Sequence, residues 1–129
     1  MKQLLAGFAA NYVLALPFYV FFPVREAWSF DPAISLRMDA VSPALMQAYR
    51  PLSGIDNCFP SLHTSIALTA WMVARDHRIA FPRLAPVVGW ISALTIASIF
   101  YLGIHWVTDA VAGVLLAVLC HRLSRRYSW

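Results

Sequence analysis

Two histidines, an aspartate and two serines stand out in an otherwise oily chain: Ser61 and His63 in NCFPSLHTSIAL, and Ser98, His105 and Asp109 in SIFYLGIHWVTDAVAGVLLA. A carboxylate beside an imidazole orients the ring and raises its basicity, which leaves the opposite nitrogen free to attack. A second histidine can give a proton to a leaving group. A serine at a helix start, together with the free N–H groups there, makes an anion site suited to phosphate. An arginine would complete the charge compensation. Such a set describes phosphoryl transfer by a histidine nucleophile, with no metal and no cofactor required. Asp109 follows His105 by four positions, so a helical turn there would carry the carboxylate to the ring. Ser98 and Tyr101 precede His105 at helical spacing and would share its face.

Each residue also has a bland role. Ser61 can be a plain helix N-cap, Asp109 can cap the next helix, and a histidine near a membrane interface can be a packed polar residue. Tyr101 and Trp106 read as interfacial aromatic anchors. The four histidines do not form a distinctive metal-ligand pattern, because His77 and His121 fall at the other side of the chain's expected topology. What the bland readings leave unexplained is why His63, His105 and Asp109 converge.

The elements that must position these groups follow from composition. Of 129 residues, 60% are hydrophobic and only 12% charged, with a mean hydropathy of +0.65. Soluble domains carry about 25% charged residues, so the chain reads as an integral membrane protein and a single domain. Its net charge of +4 invites a nucleic-acid reading. The basic residues lie between apolar runs rather than on one face, so no nucleic-acid partner is expected. Four apolar segments are expected as helices, at about 4–22, 62–74, 84–107 and 110–123, because a lipid-facing backbone must satisfy its own hydrogen bonds. The first could instead be a signal peptide, but no small-residue cleavage site precedes PFYVFF. The second is short for a span.

Loop charges orient the bundle. Lys2, the loop RDHRIAFPR and the tail HRLSRRYSW hold seven of the ten basic residues. By the positive-inside tendency both termini and the short loop are cytoplasmic, and the long loop 23–61 lies outside, periplasmic in a bacterial inner membrane. Within that loop DPAISLRMDA and SPALMQAYRP each open with a capping residue followed by proline, which predicts two short helices on the outer interface. Cys58 and Cys120 fall at opposite faces and are expected free, with Cys58 open to an impermeant thiol reagent.

FPSLHTS and SIFYLGIHWVTDAVAGVLLA resemble the second and third signature motifs of the type 2 phosphatidic acid phosphatase superfamily, whose site is shared with vanadium-dependent haloperoxidases. The second motif, P-S-x-H, is matched by Pro60, Ser61, Leu62 and His63; the third, S-R-x5-H-x3-D, by Ser98, His105 and Asp109. The resemblance implies that His105 is the nucleophile, Asp109 orients it, His63 protonates the leaving alcohol, and Ser61 and Ser98 contribute to the phosphate site. Three departures stand out. The third-motif arginine is Ile99. In the first motif, K-x6-R-P, Arg50 and Pro51 supply the end, while Pro43 occupies the lysine position. Arg25 and Arg50 are therefore the two candidates for a phosphate-binding arginine. Members of the family usually have six membrane helices. The four here correspond to the last four, in a chain that is a minimal form, a truncated product or a self-associating homo-oligomer.

The fold expected is thus all-α: an integral membrane bundle of four transmembrane helices with interfacial helices in the outer loop. The expected activity is hydrolysis of a lipid phosphomonoester or diphosphate, with lipid phosphate and membrane lipids as partners. A transferase in which a polyol attacks the phosphohistidine shares the same site. The motif NxFPSLH and the missing arginine resemble the inositol phosphorylceramide synthase-like branch. A catalytically inactive lipid-binding scaffold is the alternative of a different class.

Overall fold

In the computed structural model, residues 1–31, 33, 40, 42–49 and 57–127 are described. Among them no strand forms, and four long helices carry the architecture: α1 Lys2–Phe21, α3 Leu62–Asp76, α4 Leu84–Tyr101 and α5 Val107–Ser124. A short helix α2, Pro43–Tyr49, stands in the long loop and begins at a proline, as SPALMQAYRP predicts. The other loop helix expected from the sequence falls largely outside the described residues, and Arg50 does so entirely. Among the described residues three spans are long and apolar enough to cross a membrane: α1, α4, and α5 with the turn after it to Tyr127. The fifteen residues of α3 reach only about 22 Å, short of the roughly 30 Å hydrocarbon core.

The packing is inverted relative to a soluble bundle. α1 buries Gln3, Gly7, Asn11 and Ala15, one residue per turn on a single stripe, while Leu5, Val13, Leu16 and Phe21 point outward. α5 likewise buries Ala110, Gly113, Ala117, Cys120 and Ser124. Small residues in the seams let helix backbones approach closely, which is how helices associate when the surrounding solvent is as apolar as leucine. α3 is central: it packs on α1, α4 and α5, and α1 also packs on α5. At Gly113 the approach is close enough that a Cβ would lie 2.6 Å from the Ser61 carbonyl oxygen.

Polar groups inside the seams satisfy one another. Asn11 is fully buried; it donates to the Thr69 hydroxyl at 3.1 Å and to the Gly7 carbonyl at 2.8 Å, and accepts from Ser65. This ties α1 to α3 at mid-bundle. At one end Gln3 donates to Asp76 at 2.9 Å, and His121 meets the same carboxylate at 2.8 Å, joining α1, α3 and α5. The candidate functional residues gather at the other end.

The helix expected to run through 107 stops at Tyr101. Gly103 takes a left-handed conformation at φ 65°. Its N–H donates to the Phe100 carbonyl at 3.1 Å, and the N–H of Ile104 donates to the Ile99 carbonyl at 2.9 Å. This is a Schellman termination, and its customary hydrophobic contact is present, since Ile99 and Ile104 are buried together with Trp28 and Leu102 against them. Four residues later α5 restarts, with the Asp109 carboxylate accepting from the Trp106 N–H at 2.9 Å, the reciprocal half of a capping box.

Candidate active site

His105 lies in the five-residue link clamped between those two devices, so its backbone is fixed on both sides. It is 6% exposed. It does not share a helix with Ser98 and Tyr101, which corrects the expectation that a continuous helix aligns them. Ser98 is exposed on the last turn of α4, its hydroxyl donates to the Thr95 carbonyl at 2.8 Å, and it makes no hydrogen bond to His105.

The second histidine arrives on α3. Ser61 has extended backbone and caps α3, its hydroxyl accepting from the Thr64 N–H at 3.3 Å. Its own N–H donates to the Asp109 carbonyl at 3.0 Å, which pins the start of α3 to the first turn of α5. His63 follows two residues later, its side chain on the exposed side. Its Nδ1 lies 3.0 Å from Nε2 of His105, with the rings edge-on at 5.2 Å between centroids. Two residues distant in sequence thus share one hydrogen bond across the helix start.

Asp109 is 1% exposed, and its Oδ2 stands 3.6 Å from Nδ1 of His105. That exceeds the 2.7–3.2 Å of an ordinary N–H···O bond. The space between them is taken by Cys58, which sequence reasoning left aside as a free, accessible thiol. Cys58 is instead 0% exposed. Its Sγ donates toward Asp109 Oδ2 at 2.9 Å and lies 3.0 Å from His105 Nδ1 and 3.1 Å from the Ile104 carbonyl oxygen. Burial first, then the neighbouring Asp109 carboxylate, push this thiol well above its ordinary range, so it stays protonated. Its one sequence signal is adjacency to FPSLH.

The segment after α1 roofs the cluster. Asn57 bridges to Val24, Cys58 N–H donates to the Val24 carbonyl at 3.0 Å, and Trp28 N–H donates to the Gly103 carbonyl at 2.8 Å. Arg25 is exposed; its carbonyl accepts from the Trp106 indole N–H at 3.0 Å, which places its backbone next to the His105 link. Glu26, which sequence reasoning did not single out, is buried and accepts from the Trp28 indole N–H. Below, a cavity of about 490 Å³ opens beside His63, lined by Tyr12, Leu62, Ile66, Ile91 and Thr95 among others.

The ligand atoms of Cys58, His105 and Asp109 lie within 4.8 Å of one another, a set that could be tried as a metal centre. Around a tetrahedral zinc, a sulfur and an imidazole nitrogen stand about 3.5 Å apart. Here sulfur is 3.0 Å from nitrogen and 2.9 Å from oxygen, which are hydrogen-bond separations. Asp109 Oδ2 is further committed to Trp106. The geometry is that of a hydrogen-bonded triad rather than an ion's cage.

Against protein-family models, residues 1–123 match the family described as the PAP2 superfamily. Nothing matches among curated proteins or among solved structures.

Proposed function

The chain belongs to the PAP2 superfamily, and from that premise we propose that it is a membrane phosphatase that hydrolyses a lipid phosphomonoester or diphosphate through a phosphohistidine on His105. Members of the superfamily are generally phosphatases, which supports phosphoric ester hydrolysis. The observation that carries the finer reading is the 3.0 Å contact between His63 Nδ1 and His105 Nε2 at the capped start of α3.

In this mechanism a phosphoryl group enters between the two rings and displaces the exposed His63 from Nε2. The Nε2 lone pair forms the N–P bond as the P–O ester bond breaks, and His63 gives its proton to the departing oxygen. Water then attacks phosphorus, losing a proton to His63, and the P–N bond breaks to release phosphate. Ser61 and the N–H groups that open α3 hold the equatorial oxygens, where the helix dipole favours negative charge. Arg25 and Arg50 are the candidates for the charge-compensating guanidinium.

The lipid character of the substrate is supported by the cavity that leads from His63 along apolar faces of α1, α3 and α4. All four long helices cross the bilayer in this reading, both termini are cytoplasmic, and α2 lies on the outer interface. The short α3 sinks the site to headgroup depth, where a lipid enters sideways with its tail in the cavity. The test is phosphate release from a panel of lipid phosphates by the purified protein, in parallel with His105→Ala, and with and without inositol. Release by the wild type alone supports the proposal. Equal release by both proteins on every substrate refutes it, and lipid-linked inositol phosphate in place of free phosphate would make the enzyme a transferase.

A further inference from the structure

We propose that Cys58 is a positioning residue: its thiol links Asp109 to His105 and holds His105 in the tautomer whose Nε2 is free to attack. The role in catalysis rests on the reading of His105 as nucleophile; the positioning itself does not.

The argument is a proton count at one buried sulfur. Cys58 Sγ has three polar neighbours, the Asp109 carboxylate, the Ile104 carbonyl and His105 Nδ1, at 2.9, 3.1 and 3.0 Å. The first two only accept hydrogen bonds, and the thiol has a single proton to give. That proton goes to the carboxylate, the shortest contact, so the sulfur presents a lone pair to His105. Nδ1 must then carry hydrogen, because a bare nitrogen facing a sulfur lone pair would be repelled. With Nδ1–H fixed, Nε2 is unprotonated and accepts from His63 Nδ1–H at 3.0 Å. The chain Nδ1–H···S–H···Oδ2 is complete, and each member polarises the next.

The direct alternative, an Nδ1–H···Oδ2 bond, is not made, since the atoms stand 3.6 Å apart. Most buried cysteines behave as small hydrophobes. That role does not account for three polar contacts on one sulfur. During attack, positive charge grows on the His105 ring as the N–P bond forms and the P–O bond breaks. The leaving oxygen takes its proton from His63, and Cys58 neither gains nor loses one. The thiol conducts the field of Asp109 to Nδ1–H and fixes the ring's aim.

The experiment compares Cys58→Ser, Cys58→Val and Cys58→Ala with the wild type in detergent, by steady-state kinetics and by long-range 15N–1H spectra of 15N-histidine-labelled protein. The wild type is expected to show His105 as a single Nδ1–H tautomer. Cys58→Val, which fills the space without a donor, is expected to mix the tautomers and lower kcat about tenfold to a hundredfold at unchanged KM, the scale of a nucleophile held loosely. Cys58→Ser keeps a donor and is expected to restore the tautomer and most of kcat; where Cys58→Val does not fold, Cys58→Ala carries the same comparison. A wild-type tautomer and kcat in Cys58→Val or Cys58→Ala overturns the proposal. A tautomer shift in a protein whose wild type turns over no lipid phosphate upholds the positioning and refutes the nucleophile.

Discussion

Gly113→Ala should loosen the candidate site from behind, by pressing on the backbone of Ser61 while every side chain assigned to chemistry keeps its identity. The added Cβ would lie 2.6 Å from the Ser61 carbonyl oxygen, 3.0 Å from Thr64 Cβ and 3.4 Å from Ser61 Cβ. The nearest of these is backbone, so no rotamer change relieves it. Restoring an ordinary 3.4 Å contact requires α3 and α5 to separate locally by about 0.8 Å. Overpacking of this kind costs about 1–3 kcal/mol. Weakening the Ser61 N–H···Asp109 carbonyl bond, 3.0 Å long, adds about 0.5–1.5 kcal/mol. Alanine's better helix propensity returns about 1 kcal/mol. The net expectation is a loss of about 0.5–3.5 kcal/mol. Since a displacement near 1 Å costs about a hundredfold in rate, phosphate release should fall at least tenfold.

The internal control is Gly89→Ala, whose Cβ would meet as its nearest neighbours atoms of the Trp71 side chain, at 2.9 and 3.1 Å. A side chain can swing aside, so that variant should stay within about 0.5 kcal/mol of wild type. Thermal unfolding can be followed with a maleimide dye that fluoresces on reacting with thiols, because Cys58 and Cys120 are both fully buried. If Gly113→Ala melts with the wild type and keeps its turnover, the close α3–α5 approach is not what positions Ser61.

Three further outcomes are expected. In the folded protein neither cysteine should react with maleimide within minutes even at pH 9, because both are buried and the Cys58 thiol is raised above its ordinary range; rapid native-state labelling of Cys58 would contradict the packing around His105. Asn11→Ala should cost about 1–2 kcal/mol, measured by denaturation in mixed micelles, since it strands the Ser65 and Thr69 hydroxyls in the α1–α3 seam. Ile99→Arg, which restores the arginine of the family pattern, should lower stability and activity together rather than raise activity; a gain in turnover would show that the position can face phosphate.

The fold was readable where hydrophobic length alone decides it. α1 and α5 begin and end within a few residues of the apolar runs, because a bilayer-length helix needs little besides apolar residues and internal hydrogen bonds. The seams were not readable in the same way. Asn11 and Gly7 carry no motif, and Gly113 lies in a motif stretch that says nothing of packing; their meaning is a close approach between two helices, which needs the partner's position. α4 was overextended for a local reason. The run YLGIHWV is interrupted by a single polar residue, His105, and its hydropathy does not mark the stop at Tyr101. Gly103 was the available signal: a glycine near the end of a periodic run can supply the left-handed cap.

That termination also gives a physical account of Ile99, which motif reading treats only as a missing arginine. In the Schellman turn Ile99 is the residue whose carbonyl takes the Ile104 N–H, and its side chain is the one that must meet Ile104. Arginine there would bring a guanidinium into the contact with Ile104, Trp28 and Leu102, and Ile99 is only 2% exposed. The contact would open or the charge would be stranded, and either way His105, which follows Ile104, would lose its fixed backbone. Position 99 therefore serves the aim of the histidine through packing. The charge on a bound phosphate has to be met from elsewhere in the proposed site. The segment that crosses over the His105 link, with Arg25 carbonyl-bonded to Trp106, places one candidate cation beside it by its backbone alone.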